Sequence, residues 1–388
     1  MFTEVYVKEY DYNPYDIAVA FRMVAELRYG SSCFVGVRRR GLSRLPIIRR
    51  SVKIGCDEET IGLTGPVMIR GLPATFLVCD ERASNISARV KRKHQRDVEQ
   101  FLDDVGTHLK KRSIYRGKAL VLGGDIGFLD LSAVSFDDVV YHPNVWAELN
   151  AHIWTMFEKP DACARARIPM RRKILLQGPY GSGKTLAAFL TAKKAVDHGY
   201  TFVYLEPTAA QDAQGIIRFA LFFTRQYQPA VLCIEDIDRE ERHDNAFFFG
   251  SLLNQIDGML SKNTQMMVVM TTNRLDRISG GMQRPGRIDK IIDCSRFEAP
   301  DMKRLLQISI PAAFLDPTIN WENVLGHCSD YQPAFVREVA QSALLTAISE
   351  SNDDTTILVR ETALIRAADN LRLQHENCKI TGTPGFKR

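Results

Sequence analysis

The sequence lacks the long apolar runs of membrane proteins, although hydrophobic residues make up 45% of its 388 positions. No stretch approaches the ~18 to 20 apolar residues that a transmembrane helix needs. The start, MFTEVYVKEYDYNPYD, is acidic and aromatic, unlike a signal or transit peptide. We therefore expect a protein without a membrane span that is located in the cytoplasm.

Paired cysteines are also missing. The eight cysteines are scattered, with no Cys-x2-Cys pair and no histidine at a spacing that suits zinc. This distribution indicates reduced thiols and argues against a disulfide framework or a zinc module.

Positive charge is unevenly distributed. Residues 1–130 contain 22 Lys and Arg against 16 Asp and Glu, whereas the whole chain has 51 against 46. The excess lies in RRRGLSRLPIIRR (38–50) and ARVKRKHQR (88–96). Nucleic acid or an acidic protein is one candidate partner. A solvated surface is the favoured interpretation, because no aromatic residues interleave with these clusters to stack on bases.

Three regions differ in their hydrophobic patterns. Residues 1–130 contain short apolar runs typical of strands, such as 33–37 and 74–79, and an amphipathic helix predicted over 88–111. Residues 131–300 alternate strands and helices, which predicts a parallel sheet covered on both faces. Residues 301–388 show no convincing strand. We predict an α/β protein with a mixed α+β N-terminal domain, a central αβα sandwich and a C-terminal helical lid and tail.

The sequence GPYGSGKT, residues 178–185, has the spacing of a phosphate-binding loop. An apolar run at 173–177 precedes it and good helix formers at 186–192 follow it, which is the required strand–loop–helix context. Backbone N–H groups of such a loop bind polyphosphate, and the lysine neutralises the β- and γ-phosphate oxygens. We predict ATP as the ligand. The predicted ATP-binding residues are Gly178, Pro179, Tyr180, Gly181, Ser182, Gly183, Lys184, Thr185 and Leu186.

Two acids, Glu235 and Asp236, end the apolar strand predicted at 231–234. Ligands bind at the carboxyl ends of parallel strands, and adjacent strand residues point to opposite faces. We therefore predict that Glu235, together with the Thr185 hydroxyl, supports Mg2+, and that Asp236 orients or deprotonates the attacking water.

Polar residues also follow the next predicted strand. Asn273 ends the run MMVVMTTN and is placed to hold water or a γ-phosphate oxygen. Arg284 and Arg287 then flank a rigid Pro-Gly turn, a way to direct guanidinium groups at a phosphate.

The ordered motifs GPYGSGKT, CIEDID, MTTN and RPGRID resemble those of the classical AAA ATPases within the AAA+ superfamily, over roughly residues 133–350. The resemblance implies an AAA+ αβα domain, a helical lid and a homo-oligomeric ring, usually of six subunits, with seven left open. It implies that Asn273 is sensor 1 and that Arg284 and Arg287 are arginine fingers reaching the neighbouring subunit's ATP. The segment 252–259 matches the helix and turn that signal between subunits.

Three positions depart from the common family pattern. The acids occur in the order Glu-Asp, where most members have Asp-Glu. The aligned first pore loop, Thr208-Ala209-Ala210-Gln211, lacks the usual aromatic residue, and the second sensor falls on Pro333-Ala334. The first two features resemble the branch that translocates the folded Rieske iron–sulfur protein in mitochondria, whose membrane helix has no counterpart in this sequence.

These features leave more than one function open. The favoured hypothesis is an ATPase (ATP and water to ADP and phosphate) that remodels or translocates a protein engaged by the N-terminal domain. The alternatives are an ATP-dependent oligomeric switch or scaffold with slow hydrolysis, and, less favoured, a nucleic-acid motor. An aromatic grip at Phe247, Phe248 or Phe249 is the alternative to a pore that does not grip an unfolded chain.

Overall fold

The structure is a computed structural model, and it describes residues 3–37, 45–79, 84–123, 126–207, 213–238, 245–260, 263–278, 280–281, 283–351 and 357–381. Within these ranges, none of the helices is long and apolar enough to cross a membrane.

An antiparallel sheet forms the first part of the chain. Its strands are paired in the order β1-β6-β5-β4-β2, and β3 pairs with β4. Two helices, α1 (Pro14–Tyr29) and α2 (Gln95–Arg112), contribute to the core beneath it, where Phe21, Phe76 and Phe101 meet. The strands are β1 (Thr3–Glu9), β2 (Phe34–Gly36), β3 (Ile48–Lys53), β4 (Glu59–Ile69), β5 (Leu72–Val78) and β6 (Asn85–Lys91).

The helix predicted over 88–111 was placed too early. Residues 85–91 form β6, and α2 begins at Gln95 after a 3-10 turn. Ile86, Ala88 and Val90 are buried at alternate positions, which is the two-residue period of a strand and explains why this segment is not helical. The structure also adds α1 to a region where the apolar runs predicted strands. Asn13 caps this helix, its side chain accepting the Tyr15 N–H at 2.9 Å.

A second, seven-stranded sheet forms the centre of the molecule. Its order is β13-β9-β12-β11-β10-β7-β8, and its pairs are parallel except for β7 with β8. The strands are β7 (Ala119–Leu122), β8 (Ile126–Phe128), β9 (Lys173–Gln177), β10 (Thr201–Leu205), β11 (Ala230–Ile234), β12 (Met266–Thr272) and β13 (Lys290–Asp293). The structure thus places the first strands of this sheet before the domain boundary predicted at residue 130.

Helices cover both faces of this sheet, as predicted. Ile174 and Leu176 of β9 face one apolar cluster and Leu175 faces the other, because successive side chains of a strand alternate. The first cluster involves α3 (Pro143–Leu149), α4 (Thr155–Glu158), α5 (Pro160–Arg165) and α6 (Lys184–Asp197), and a π-helical segment, Asn150–Trp154, joins α3 to α4. The second cluster involves α7 (Ala213–Gln226) and α8 (Asn245–Met259).

Four helices with their own apolar core follow the second sheet. They are α9 (Ala299–Ser309), α10 (Trp321–His327), α11 (Pro333–Glu350) and α12 (Glu361–Thr381). This arrangement confirms the AAA+ αβα fold with a C-terminal helical part.

A buried carboxylate joins α1 to the segment that leads from α2 to the central sheet. Asp16 is 1% exposed and accepts hydrogen bonds from the Ser113 hydroxyl at 2.6 Å and from the Ile114 N–H at 3.1 Å. The Asn13 N–H donates to the Tyr227 hydroxyl, at the end of α7, at 3.2 Å. Burial raises the pKa of Asp16 to about 6. Asp16 thus ties α1 to the segment that follows α2, and Asn13 ties the start of α1 to the residue after α7.

Candidate active site

The glycine-rich loop connects β9 to α6, as the sequence predicted. Gly181 and Gly183 have φ angles of 78° and 92°, which glycine adopts without steric cost. A Cβ on Gly181 would lie 2.9 Å from the Ala334 Cβ, and one on Gly183 would lie 3.2 Å from the Tyr141 ring. The loop therefore needs glycine for both its backbone shape and its close neighbours.

A cleft of about 360 Å3 opens at this loop, within the size range of small-molecule sites. Residues predicted to bind ATP or to act in catalysis line it together with residues outside that set, among them the second-sensor pair Pro333 and Ala334. The predicted ones are Tyr180, Gly181, Ser182, Gly183, Lys184, Thr185, Leu186, Asp236 and Asn273; the others are Val140, Tyr141, Leu305, Pro333, Ala334 and Arg337.

The Lys184 ammonium lies under the loop. It donates to the carbonyl oxygens of Gly178 at 2.9 Å and Pro179 at 3.0 Å, and to the Asn273 amide oxygen at 2.8 Å. Burial lowers the pKa of Lys184, opposed by the negative charges of Asp236 and Glu235. A buried ammonium held by neutral oxygens is well placed to compensate a phosphate charge.

Asn273 connects Lys184 to the second acid. While its amide oxygen accepts from Lys184, its amide nitrogen donates to Asp236 Oδ1 at 3.0 Å. Asp236 has a φ of 44°, an uncommon conformation for a residue other than glycine, and its N–H donates to the Thr271 hydroxyl at 2.8 Å. Strained backbone of this kind occurs where the surrounding structure fixes a functional side chain.

Glu235 lies beside Thr185, whose hydroxyl donates to its Oε2 at 3.1 Å. Its Oε1 is buried, and none of the described protein groups bonds to it. Burial, and next the charge of Asp236, raises the pKa of Glu235. A hydroxyl beside a carboxylate with an unsatisfied oxygen fits Mg2+, which takes oxygen ligands and keeps several waters. Bound there, Mg2+ would neutralise phosphate charge.

Two buried residues, Asp238 and Thr271, position these groups. They belong to the motifs CIEDID and MTTN respectively, but the sequence predicted no role for them. Asp238 is 5% exposed, and both its carboxylate oxygens accept the Asn273 N–H at 3.2 Å. Thr271 is fully buried and holds the Asp236 backbone. Sequence patterns do show the polar residues in CIEDID and MTTN, but only the folded arrangement of β11 beside β12 shows what they contact.

The lid contacts the loop directly. The Ala334 N–H, in the first turn of α11, donates to the Gly181 carbonyl at 3.2 Å. Arg337, one turn further along α11, donates to the Asp138 carbonyl at 2.9 Å. The Tyr141 hydroxyl, also in the lining of the cleft, donates to the Gly183 carbonyl at 2.6 Å. The structure thus places the predicted second-sensor pair, Pro333 and Ala334, in the wall of the cleft.

Arg284 and Arg287 do not line the cleft formed by the described residues. Both are exposed. Arg287 donates to the Asn254 amide oxygen at 2.7 Å and to Asp257 Oδ2 at 3.2 Å, both on α8. The arginines are therefore on the surface, as a role toward a neighbouring subunit requires.

The predicted pore position, Thr208-Ala209-Ala210-Gln211, lies outside the described residues. The alternative, Phe247 to Phe249, falls in α8 where the backbone alone is described.

Comparisons with known proteins agree with this geometry. Residues 174–296, about a third of the chain, match the family described as ATPase family associated with various cellular activities (AAA). The ATP-dependent zinc metalloprotease FtsH of Mesoplasma florum is 27% identical over 223 residues, which are 54% of this chain and 33% of that protein.

The chain is also similar to a proteasome subunit and to a second FtsH protein. The 26S proteasome regulatory subunit 6A of Encephalitozoon cuniculi is 26% identical over 222 residues, 53% of this chain and 54% of that protein. FtsH 4 of Synechocystis sp. is 26% identical over 246 residues, 58% and 38% respectively. This chain thus spans about a third of the FtsH proteins and about half of the proteasome subunit.

Proposed function

We propose that this chain, which carries an AAA ATPase domain of the classical type, hydrolyses ATP with Mg2+ and works as a ring of identical subunits that remodels or translocates a protein. The observation that carries the proposal is the connected set of Lys184, Asn273 and Asp236 beside the Glu235–Thr185 pair. The residues proposed to bind phosphate, to support the metal and to act as the base for water therefore lie at this cleft or next to it.

The glycine-rich loop, residues 178–185, is proposed to bind the phosphates of ATP. The backbone amides of 181–185, at the start of α6, hold the β-phosphate, where the helix dipole favours negative charge. Lys184 compensates the β and γ oxygens. The side chains of Val140 and Leu305, which belong to one apolar cluster, give the rest of the nucleotide an apolar surface.

The two acids divide the remaining chemistry. Glu235 holds the metal's water shell, supported by its contact with Thr185. Asp236 lines the cleft and accepts the proton of the attacking water, while Asn273 places that water. Compared with the common Asp-Glu order, each carboxylate moves by about one methylene, which favours slow hydrolysis over none.

Hydrolysis in this proposal needs a neighbouring subunit. Arg284 and Arg287 are exposed and do not line their own cleft, so in this proposal they act on the ATP of the next subunit in a ring of six, with seven left open. An arginine supplied in this way stabilises transition-state charge. ATP turnover is then tied to assembly.

The N-terminal sheet is the proposed docking site for a protein substrate. Val5 and Val7 of β1 and Leu77 of β5 are exposed by 61%, 52% and 51%. Val7 and Leu77 both pair with Ser87 of β6, so these two apolar side chains lie on the same face of the sheet with Ser87 between them. Protein rather than nucleic acid is favoured by this surface.

Cytoplasm is the proposed location, supported by the seven cysteines whose side chains the structure describes, all of them free thiols that suit a reducing compartment. The zinc protease activity in the names of the FtsH relatives is not part of the proposal.

Electron microscopy of the protein with a non-hydrolysable ATP analogue tests the assembly. We expect closed rings of six or seven subunits with the analogue and fewer without it. Monomers at all nucleotide concentrations would contradict the ring. A steady-state ATPase rate that rises when a protein partner is added supports remodelling, whereas ring formation with a slow, unstimulated rate supports a switch or scaffold.

A further inference from the structure

Lys173 is an unusual residue for the first position of a central strand. It begins β9 and is only 5% exposed. Burying an ammonium is unfavourable unless it is paired and hydrogen-bonded. The groups that Lys173 contacts therefore show what this buried charge is used for.

The ammonium of Lys173 connects two separate elements. It forms an ion pair with Asp257 of α8 and donates to the Gly286 carbonyl, in the turn between Arg284 and Arg287, at 2.9 Å. Gly286 has a φ of 92°, so this turn has a specific backbone shape.

The backbone of Lys173 fixes the far side of the same turn. Its N–H donates to Asp289 Oδ2 at 2.8 Å, and its carbonyl accepts the Asp289 N–H at 2.8 Å. One residue at the start of β9 thus holds the segment 286–289 through both side chain and main chain.

Asp257 is shared between Lys173 and Arg287. Lys173 bonds to Oδ1 and Arg287 to Oδ2, the latter at 3.2 Å. A carboxylate whose charge is partly compensated by one cation attracts a second cation less strongly. Arg287 is held on α8 by this shared carboxylate and by Asn254 at 2.7 Å, and because 46% of its side chain is exposed it can exchange both contacts for a phosphate.

We propose that Lys173 is a positioning residue that sets Arg284 and Arg287 for the ATP of the neighbouring subunit. The inference rests on the proposed function, because it needs a ring in which these arginines act in trans. Lys173 also lies on the strand that leads to the subunit's own nucleotide loop, roughly 13 Å away for four residues of strand. Movement of that loop would reach the arginines through β9.

The first test replaces Lys173 by methionine, which keeps the length and removes the charge. We expect Lys173→Met to bind ATP with unchanged affinity and to have a similar KM, while kcat falls on the order of 10- to 100-fold because the arginines are misplaced. The matched control is Lys290→Met, which removes the ion pair of Lys290 with Glu148 at the neighbouring strand β13. This control should keep the wild-type kcat.

Subunit mixing separates positioning in trans from a general structural role. Lys184→Ala subunits cannot use ATP but have intact arginines, whereas Lys173→Met subunits have intact nucleotide loops. Each alone should be nearly inactive. An equal mixture should recover to about a quarter of the wild-type rate, since a quarter of random head-to-tail interfaces combine the two intact halves. No recovery on mixing, or wild-type kcat in Lys173→Met alone, would overturn the inference.

Gly286→Ala is the second variant, used if Lys173→Met does not fold. A methyl group there meets no atom within 4 Å, but the φ of 92° is strained for alanine, so the turn should shift while the core stays intact. We expect the same loss of kcat and the same rescue by Lys184→Ala subunits; wild-type kcat would contradict the inference. A wild-type protein without ATPase activity would instead contradict the proposed function itself.

Discussion

Glu235 and Asp236 are neighbours in the chain, yet the structure gives them different surroundings. Glu235 contacts the Thr185 hydroxyl, and Asp236 contacts the Asn273 amide. We expected strand alternation to separate them, but both follow the last residue of β11, Ile234, and Asp236 has a φ of 44°, so it is the turn after the strand that directs the two side chains apart. Two carboxylates with different contacts can hold a metal and activate a water without exchanging roles.

Substituting the two acids should therefore give different defects. Asp236→Asn should keep nucleotide binding and lower kcat by on the order of 10²- to 10⁴-fold, because an amide cannot accept the proton. Glu235→Gln should raise the Mg2+ concentration needed for half-maximal activity by about 10- to 100-fold. Phosphate release measured across a Mg2+ titration distinguishes them. Loss of hydrolysis in Glu235→Gln with normal turnover in Asp236→Asn would show that the roles are reversed.

The raised pKa of Glu235 predicts a pH dependence of Mg2+ binding. The protonated carboxyl does not support the metal, and burial moves its pKa upward from 4.5. Mg2+ affinity should therefore increase as pH rises through the raised pKa and level off above it. Titrations of Mg2+ in the presence of ATP analogue at several pH values measure this. In Glu235→Gln the part of the slope due to this carboxyl should disappear, and an unchanged slope would contradict the assignment.

At the scale of single residues, the sequence predicted which side chains would meet at the site when residue type and motif spacing alone point to their chemistry. Lys184, Thr185, Glu235, Asp236 and Asn273 all come together at the cleft or directly behind it. Asp238 and Thr271 were not assigned, because their role is to accept backbone N–H groups of other site residues. Such partners depend on how strands align, and a linear motif does not contain that information.

At the scale of elements, helix α1 illustrates what periodicity misses. Its apolar residues are interrupted by few polar ones, so the segment does not show a clear amphipathic stripe, and we predicted strands in this region. Its contact through Asp16 with Ser113 and Ile114 joins segments almost a hundred residues apart. Contacts of this range cannot be derived from local sequence.

Asp16 predicts a pH-dependent stability. Its folded pKa is about 6 and its ordinary value is 3.8. Between these values the folded protein keeps a proton that the unfolded chain has lost, so stability should fall as pH rises from about 4 to about 6, by up to about 3 kcal/mol. Melting temperatures across this range provide the measurement. Asp16→Asn, which does not titrate, should lack this part of the slope, and the same slope in both proteins would exclude Asp16 as its source.

The boundary between β6 and α2 shows a second limit at this scale. The apolar residues of α2, from Val98 to Leu109, have helical spacing and were recognised correctly. Basic residues continue across the boundary from β6 into α2, so charge gave no signal for where the strand ended. The alternation of Ile86, Ala88 and Val90 was the available signal.

For the whole molecule, the order of parts was predictable and their junctions were not. Along the chain, the N-terminal sheet, the central αβα sandwich and the C-terminal helical lid occur in the predicted order. Strands β7 and β8 belong to the central sheet although they precede residue 130. Their assignment depends on pairing of β7 with β10, about eighty residues later.

The proposed handling of substrate gives a prediction for the assembled protein. Ala209 and Ala210 at the predicted pore position offer little area to hold a passing chain, since buried apolar area contributes about 25 cal/mol per Å2. A tagged, stably folded fluorescent protein should therefore remain fluorescent when it is incubated with the ring and ATP. A known unfoldase serves as the positive control. Efficient ATP-dependent loss of fluorescence would show threading and favour a grip at Phe247 to Phe249.

The central claim is that the cleft hydrolyses ATP within an assembly, and the ATPase rate per subunit as a function of protein concentration tests it most directly. With Mg2+ and saturating ATP, the rate should rise with concentration to a plateau as rings form. Lys184→Ala, which loses the buried cation under the phosphates, should lose tight ATP binding and show no activity at any concentration. A wild-type protein without phosphate release at any concentration, or a Lys184→Ala variant that keeps wild-type ATP affinity, would contradict the account.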